Sequence, residues 1–283
     1  MPTNVQRREQ AKRKLERQLA RRAERAKQRR RFAIIGTVAA VVVVAGGIYF
    51  LAFVNKGDDS GTDAAASTPP SAANDAPASI PNELHPAVKR PTPLGAQVAC
   101  EYPAGDQPAS KEAQPPAAGQ VPAEGTIGAT LGTSVGDIKL TLDRSLAPCA
   151  VNSFVNLAKQ GYFNDTTCHR LTTSGIQVLQ CGDPSGSGSG GPGYSFKDEV
   201  WPELTYGRGL LAMANSGPDT NGSQFFIVYG DGQNLEPKYT VFGTVDEEGL
   251  KKVDEVAKAG TASGQGDGKP NTPVDIKTAT VIE

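Results

Sequence analysis

The chain of 283 residues carries only two histidines, His85 and His169, and four cysteines, none of them spaced as Cys-x-x-Cys. So few imidazole and thiol ligands give little support to a zinc centre, and the missing CxxC removes a thioredoxin-like redox motif. No metal or organic cofactor is expected. The glycine-rich run at 182–193, "GDPSGSGSGGPG", lacks the Gly-Lys-Ser/Thr ending of a phosphate loop and the following helix that a dinucleotide fingerprint needs. It reads as a mobile surface loop whose glycines permit positive φ, and it is compatible with a rim that a peptide backbone approaches closely.

Charge is absent altogether from residues 32–54, "FAIIGTVAAVVVVAGGIYFLAFV", a run of 23. About 20 apolar residues span a bilayer core, whereas the apolar part of a cleavable signal peptide is usually about 7–15. The run is therefore expected to be an uncleaved transmembrane helix. Residues 1–31 hold thirteen Arg or Lys against three Glu, a net of +10, so the remainder carries −1 − 10 = −11. The positive-inside rule then places the basic segment in the cytoplasm and sends residue 55 onward across the membrane. That basic run is expected to be a topogenic flank, not a nucleic-acid site. The expectation is a single-pass protein of the cell membrane with its folded part extracytoplasmic.

Residues 55–124 lack hydrophobic periodicity and are rich in Ala, Pro, Ser and Gly, as in "AAASTPPSAANDAPASIP". Such a composition buries too little surface to offset its ordering entropy, and a disordered linker is expected. Cys100 interrupts it and hints that part of it is pinned to the domain. With Cys149, Cys168 and Cys181 it makes an even number of thiols in an oxidising compartment, consistent with two disulfides in any of three connectivities.

From 125 to 283 the patterns sharpen into a domain. Ile127, Ala129 and Leu131, then Ile138, Leu140 and Leu142, alternate around Ser134-Val135-Gly136-Asp137 and predict a β-hairpin. Pro148 opens a helix whose apolar positions Val151, Phe154, Val155 and Ala158 lie on one face, with Gly161 as its stop. A second helix is predicted around "GLKKVDEVAKAG" and a closing strand in "VDIKTATVIE". Many short strands with only two helices favour a closed antiparallel barrel with helices over its openings. A parallel sheet would need more crossovers.

The segment "MANSGPDTNGSQFF" at 213–226 is longer and more polar than a hairpin turn requires. With "CHRLTTSGIQVLQCGDP", "GGPGY" and "YTVFG", in that order, it closely resembles the cyclophilin-type peptidyl-prolyl cis-trans isomerases, most of all membrane-anchored actinobacterial members. The resemblance covers roughly 126–283. It implies a mainly β fold, an eight-stranded closed barrel with two capping helices, here preceded by the transmembrane helix and linker. It also implies that Arg170 is the catalytic arginine, and that Val178, Gln180, Gly188, Ala214, Asn215, Ser216, Gln224, Phe226, Leu235 and Tyr239 line a groove for proline-containing peptides. Unfolded or partly folded secreted and membrane proteins would be the substrates of a monomeric domain. A peptide-binding or chaperone module with weak catalysis is the alternative.

The residues suit that chemistry. Amide resonance imposes a rotation barrier of about 18–20 kcal/mol, and no nucleophile is needed to lower it. A guanidinium can donate to the proline nitrogen once the twisted amide frees its lone pair, an apolar slot can grip the ring, and amides can hold the flanking backbone. The chain also departs from the family. Gln177 stands where an aromatic residue usually contributes to the proline pocket, the loop "LTTSG" before it is longer than usual, Asn234 stands where cyclosporin-sensitive members have tryptophan, and Tyr239 replaces their usual histidine.

Overall fold

The computed structural model describes residues 75–282. In chain order, β1 (Gln97–Cys100) and β2 (Gly119–Pro122) pair as a separate ribbon. They are followed by β3 (Thr126–Thr133), β4 (Gly136–Asp143), α1 (Pro148–Lys159), β5 (Thr166–Thr167), β6 (Arg170–Thr172), β7 (Val178–Cys181), β8 (Leu210–Met213) and β9 (Phe225–Val228). β10 (Val241–Val245), α2 (Glu247–Lys258), β11 (Asp267–Gly268) and β12 (Asp275–Ile282) complete the chain. The ten strands from β3 onward form one antiparallel sheet in the order β11-β6-β7-β9-β8-β10-β4-β3-β12-β5.

The predicted hairpin is β3 and β4, in register from Thr126 opposite Asp143 to Thr133 opposite Gly136. All six of its alternating apolar residues are buried, because one face of the ribbon turns inward. The helix begun by Pro148 seats Phe154 inside the curl, stacked on Phe163 at 4.9 Å and edge-on to Phe225 at 5.5 Å. α2 is started by Asp246, whose side chain accepts from Gly249 N–H at 3.0 Å.

Two expectations are corrected. The fold is mainly β with two helices, but the sheet is curled and not a hydrogen-bonded closed barrel: its ladder ends at β5 on one side and β11 on the other. The reason is local: only Cys168 and His169 separate β5, which pairs with β12, from β6, which pairs with β7 and β11, so the ends of the ladder are joined by continuous main chain, and the Cys168 N–H bond to Val274 at 2.8 Å extends the β5–β12 pairing. The disordered linker, expected to run to Glu124, is also cut short, because residues 75–124 are laid along the domain. The Asp75 carboxylate accepts from the N–H groups of Thr261 (2.8 Å) and Gly266 (2.7 Å), Gln177 donates to Ser79 at 2.7 Å, and the Arg90 guanidinium lies 5.0 Å over the Trp201 ring. Cys100 is bonded to Cys149, and Cys168 to Cys181, so one of the three connectivities is selected and the arm is stapled to α1.

Residues 1–31, the apolar run 32–54 and the linker up to 74 lie outside the described residues. Among the described residues no helix is long and apolar enough to cross a membrane.

The start of α1 sets a pH dependence. Ala147 provides no side-chain cap, and the Glu199 carboxylate instead accepts from Cys149 N–H at 3.1 Å and Ala150 N–H at 2.9 Å. Burial pushes the Glu199 carboxyl up to about 7 from its ordinary 4.5, against those donors and Arg90, which favour ionisation. A carboxyl raised on folding contributes stability that is complete below its unfolded value and is lost as pH rises through the folded one. The melting temperature of Glu199→Gln relative to the parent should therefore climb between about pH 4.5 and pH 7. Parallel pH profiles for the two proteins would contradict this origin.

Candidate functional site

The site follows from strand register. Arg170 on β6 lies opposite Gln180 on β7, Gln180 opposite Phe226 on β9, and Phe226 opposite Ala212 on β8. Directly opposed residues share a face, so these four form one row across four strands. The next row, Leu171, Leu179, Ile227 and Leu211, is fully buried and points the other way into the core. Period-two alternation thus puts the core beneath and the row of Arg170, Gln180 and Phe226 above.

Side-chain bonds tie the row together. Arg170 Nη1 donates to Gln180 Oε1 at 3.3 Å, Gln180 Nε2 to Gln224 Oε1 at 2.8 Å, and Gln224 Nε2 to the carbonyls of Gly188 at 3.1 Å and Gly190 at 2.9 Å. At the other end, Phe226 meets Tyr239 edge to face at 5.5 Å. Tyr239 is fixed by Tyr206, whose hydroxyl donates to its carbonyl at 2.8 Å and accepts from its N–H at 3.0 Å. Val178 is buried on the same face as Gln180, and Leu235 is part-buried against the core.

Asp267 was not legible in the sequence as a site residue. Its two oxygens take Arg170 Nε at 2.8 Å and Nη2 at 2.7 Å, a fork from a strand 97 residues away. Of the five N–H groups of a guanidinium, the three bonds to Asp267 and Gln180 leave two directed elsewhere. The Asp267 hydrogen bonds raise the Arg170 pKa further, and Arg170 in turn holds the Asp267 carboxyl below its usual range. Asp267→Asn should lower kcat by about three- to tenfold by loosening the fork, in line with the sensitivity of rate to small misplacements. The melting temperature should barely move, because the partners are 40% and 55% exposed and such pairs contribute about 1 kcal/mol or less. An unchanged kcat would remove Asp267 from the positioning of Arg170.

The glycine run at 182–193, expected to be a mobile loop, is instead organised around Asp183, which is fully buried. Its carboxylate accepts from Ser185 N–H and Oγ–H, both at 2.7 Å, Gly188 N–H at 2.7 Å, Ser187 Oγ–H at 3.3 Å and Gly190 N–H at 3.1 Å. Sequence reasoning missed this anchor because the chain around it has no periodic pattern. The polar segment before Phe225 is similarly held. Asp198 takes Asp219 N–H at 2.9 Å and Asn221 Nδ2 at 2.8 Å, while Ala214 N–H donates to the Gln224 carbonyl at 2.9 Å. Asn215 donates from Nδ2 to the Lys238 carbonyl at 2.8 Å, so its amide N–H braces the stretch leading to Tyr239.

Gln180, Gly188, Ala214, Asn215, Ser216 and Gln224 line one cleft of about 580 Å³. Arg170, Val178, Phe226 and Tyr239 stand outside that lining, on or beside the row that leads from it. A larger cleft of about 1160 Å³ lies between residues 75–85 and the loops at 173–177, 205–208 and 230–235. Of the predicted residues it contains only Leu235. Gln177, at the family's aromatic position, is buried against Gly230, accepts from Asp231 N–H at 2.7 Å and donates to Ser79, which takes it into the docking of the arm. Asn234 is exposed and donates to the Gly175 carbonyl at 3.0 Å.

His169 precedes Arg170, and its two ring nitrogens are buried without a partner among the described residues. Burial lowers its pKa, with Asp183 acting in the opposite sense, so the ring is neutral at neutral pH. Rotation about an amide needs neither an acid nor a base, so no role in it is assigned to this ring. Among the described residues no cluster of His, Cys, Asp and Glu is arranged to hold a metal ion.

The family model described as cyclophilin type peptidyl-prolyl cis-trans isomerase/CLD matches residues 129–281. A Mycobacterium leprae protein named "Probable peptidyl-prolyl cis-trans isomerase B" is 47% identical over 98% of this chain and 99% of its own. Its namesake in Mycobacterium tuberculosis is 50% identical over 65% of this chain and 63% of its own. A solved Cryptosporidium parvum cyclophilin-type isomerase, crystallised in the presence of the dipeptide Ala-Pro, is 36% identical over 55% of this chain and 98% of its own, with a TM-score of 0.48.

Proposed function

The chain belongs to the cyclophilin-type peptidyl-prolyl cis-trans isomerase family and is a peptidyl-prolyl cis-trans isomerase, and from that premise we propose that Arg170 and the row beside it turn the X-Pro bond. The observation that carries this reading is the row itself: a forked guanidinium, two linked amides and an aromatic slot on one face of four strands.

The barrier to X-Pro rotation comes from amide resonance, which is lost as the bond twists and the proline nitrogen becomes pyramidal. That nitrogen then carries a lone pair that the planar amide does not offer. A guanidinium N–H directed at it binds the twisted state better than either planar isomer, and only such differential binding accelerates the reaction. Asp267 and Gln180 hold the guanidinium, so little reorganisation is needed as the bond turns. The Phe226 and Tyr239 rings, with Val178 beside them, grip the proline ring. Gln180, Gln224 and the backbone at 214–216 hold the flanking peptide, which keeps one half still while the other rotates. Turnover of an Ala-Pro peptide tests this reading and separates it from a binding module with weak catalysis.

The wider setting belongs to the same proposal: a membrane-anchored isomerase of the actinobacterial type, which assists the folding of secreted and membrane proteins from outside the cytoplasmic membrane. The support is the uncharged run at 32–54 behind a +10 flank, the even cysteines and the mycobacterial relatives. Protease added to spheroplasts should remove the isomerase domain and spare the N-terminus. Protection of the domain until lysis would reverse the orientation.

A further inference from the structure

The match to the family model begins at residue 129, yet part of the cleft beside Arg170 is built by residues upstream of it, at 104–108. The arm at 103–110 runs antiparallel to residues 191–195. Gly105 N–H donates to the Gly193 carbonyl at 2.9 Å, Ser195 N–H to Pro103 at 3.0 Å and Ser110 N–H to Gly191 at 2.9 Å, while Gly191 N–H reaches Ser110 Oγ at 3.1 Å. Glycine makes that approach feasible, because a Cβ on Gly193, whose φ is +81°, would lie 2.9 Å from the Ala109 nitrogen. The glycine rim therefore receives a peptide backbone, and the backbone is the chain's own.

The arm is anchored on both sides of this contact. Just before it stand the Cys100–Cys149 disulfide and Tyr102, whose ring meets Tyr194 and Phe196 edge to face at 5.8 and 5.7 Å. Just after it, Lys111 donates to the carbonyls of Gly161 and Asn164, both at 2.8 Å. A segment fixed in this way is a wall and not a tail. Residues 104–108 face Gln180, Gln224 and the backbone at 214–216 across the 580 Å³ cleft. Asp106 is the one charged residue of that lining, is exposed, and forms no ion pair with any described residue.

We infer that the arm is the second wall of the substrate cleft and reads the residues flanking the proline, with Asp106 selecting peptides that carry a cationic side chain there. The inference rests on the assignment of Arg170 and its row as the place where the bond turns. A cleft with low-dielectric walls and one uncompensated carboxylate concentrates positive charge and disfavours negative charge.

The test uses the full chain in detergent and short peptides with a single Ala-Pro bond, in which Lys, Gln or Glu is placed at each flanking position in turn. The readout is kcat/KM from exchange between the cis and trans signals. On one side of the proline, Lys peptides should be turned over about fivefold faster than Glu peptides, as expected for attraction of one and repulsion of the other at an exposed site. High salt should shrink the difference. Asp106→Asn should abolish it and Asp106→Lys should reverse it. If the Lys/Glu ratio is the same at every position in the parent and in both variants, the arm does not touch substrate and the inference fails alone. If Arg170→Ala still turns over the Gln peptides at the parental rate, the bond turns elsewhere and both readings fail together.

Discussion

Arg170→Ala should lower kcat/KM on an Ala-Pro peptide by about 10- to 150-fold, the loss expected when a hydrogen bond from a charged donor, about 1.5–3 kcal/mol, is made in the twisted state and not in the planar one. The fold should survive. The ion pair given up is half-exposed on both sides, and the Arg170 side chain stands on the outer face of β6, above a core that continues unbroken beneath it. The melting temperature should therefore change by no more than the equivalent of about 1 kcal/mol. Arg170→Lys should fall between the two, because a lysine keeps the charge but cannot reproduce the planar fork that Asp267 holds. Measuring kcat and KM separately adds a check. A group that acts only in the twisted state lowers kcat, whereas one that merely binds peptide raises KM.

Asp183→Ala should be the most destabilising single change in the rim, by about 3–5 kcal/mol, since it strips a buried carboxylate from its donors and leaves those donors unpaired. For a domain of this size that corresponds to a fall in melting temperature of roughly 6–20 °C. Burial works against ionisation of Asp183, but the donors from Ser185, Gly190 and Gly188 outweigh it and hold the carboxyl below its ordinary 3.8. A carboxyl lowered on folding contributes stability that is present above its unfolded value and lost as pH falls through the folded one, so the gap between parent and variant should narrow in acid. KM should rise as well, because the same loop presents the Gly188 and Gly190 carbonyls that steady Gln224. A variant that melts within a degree or two of the parent would show that Asp183 is not the anchor of the rim.

How much of this was legible in the sequence depended on whether the determinants were local. The β3–β4 hairpin and both helices declare themselves by period, because each buries one face and its neighbours along the chain are its neighbours in space. Arg170, Gln180, Gln224 and Phe226 carry no such signal. They were found through the family's signature, and only the register shows why the four lie together. Asp267 escaped because its partner is 97 residues away, and a lone aspartate between glycines looks like any turn. The arm at 75–124 was misread for a physical reason. Its Ala- and Pro-rich composition gives it no core of its own, and its order is borrowed through a disulfide, an arginine over Trp201 and carboxylate contacts such as those of Asp75. Composition reports what a segment can do alone, and this segment is not alone. The closed barrel was overstated for a related reason, since strand count does not reveal whether the last gap is bridged by a ladder or by two residues of main chain.

The central claim is that the bond turns at the row running from Arg170 to Phe226. The most direct measurement is exchange spectroscopy on an Ala-Pro peptide mixed with substoichiometric full chain whose aromatic rings and arginine side chains are isotopically labelled. The account predicts cis–trans exchange fast enough to give cross-peaks that are absent from the peptide alone, together with shifts in the Phe226 and Tyr239 rings and in the Arg170 Nε–H. Exchange of that rate with those three groups unmoved would contradict it.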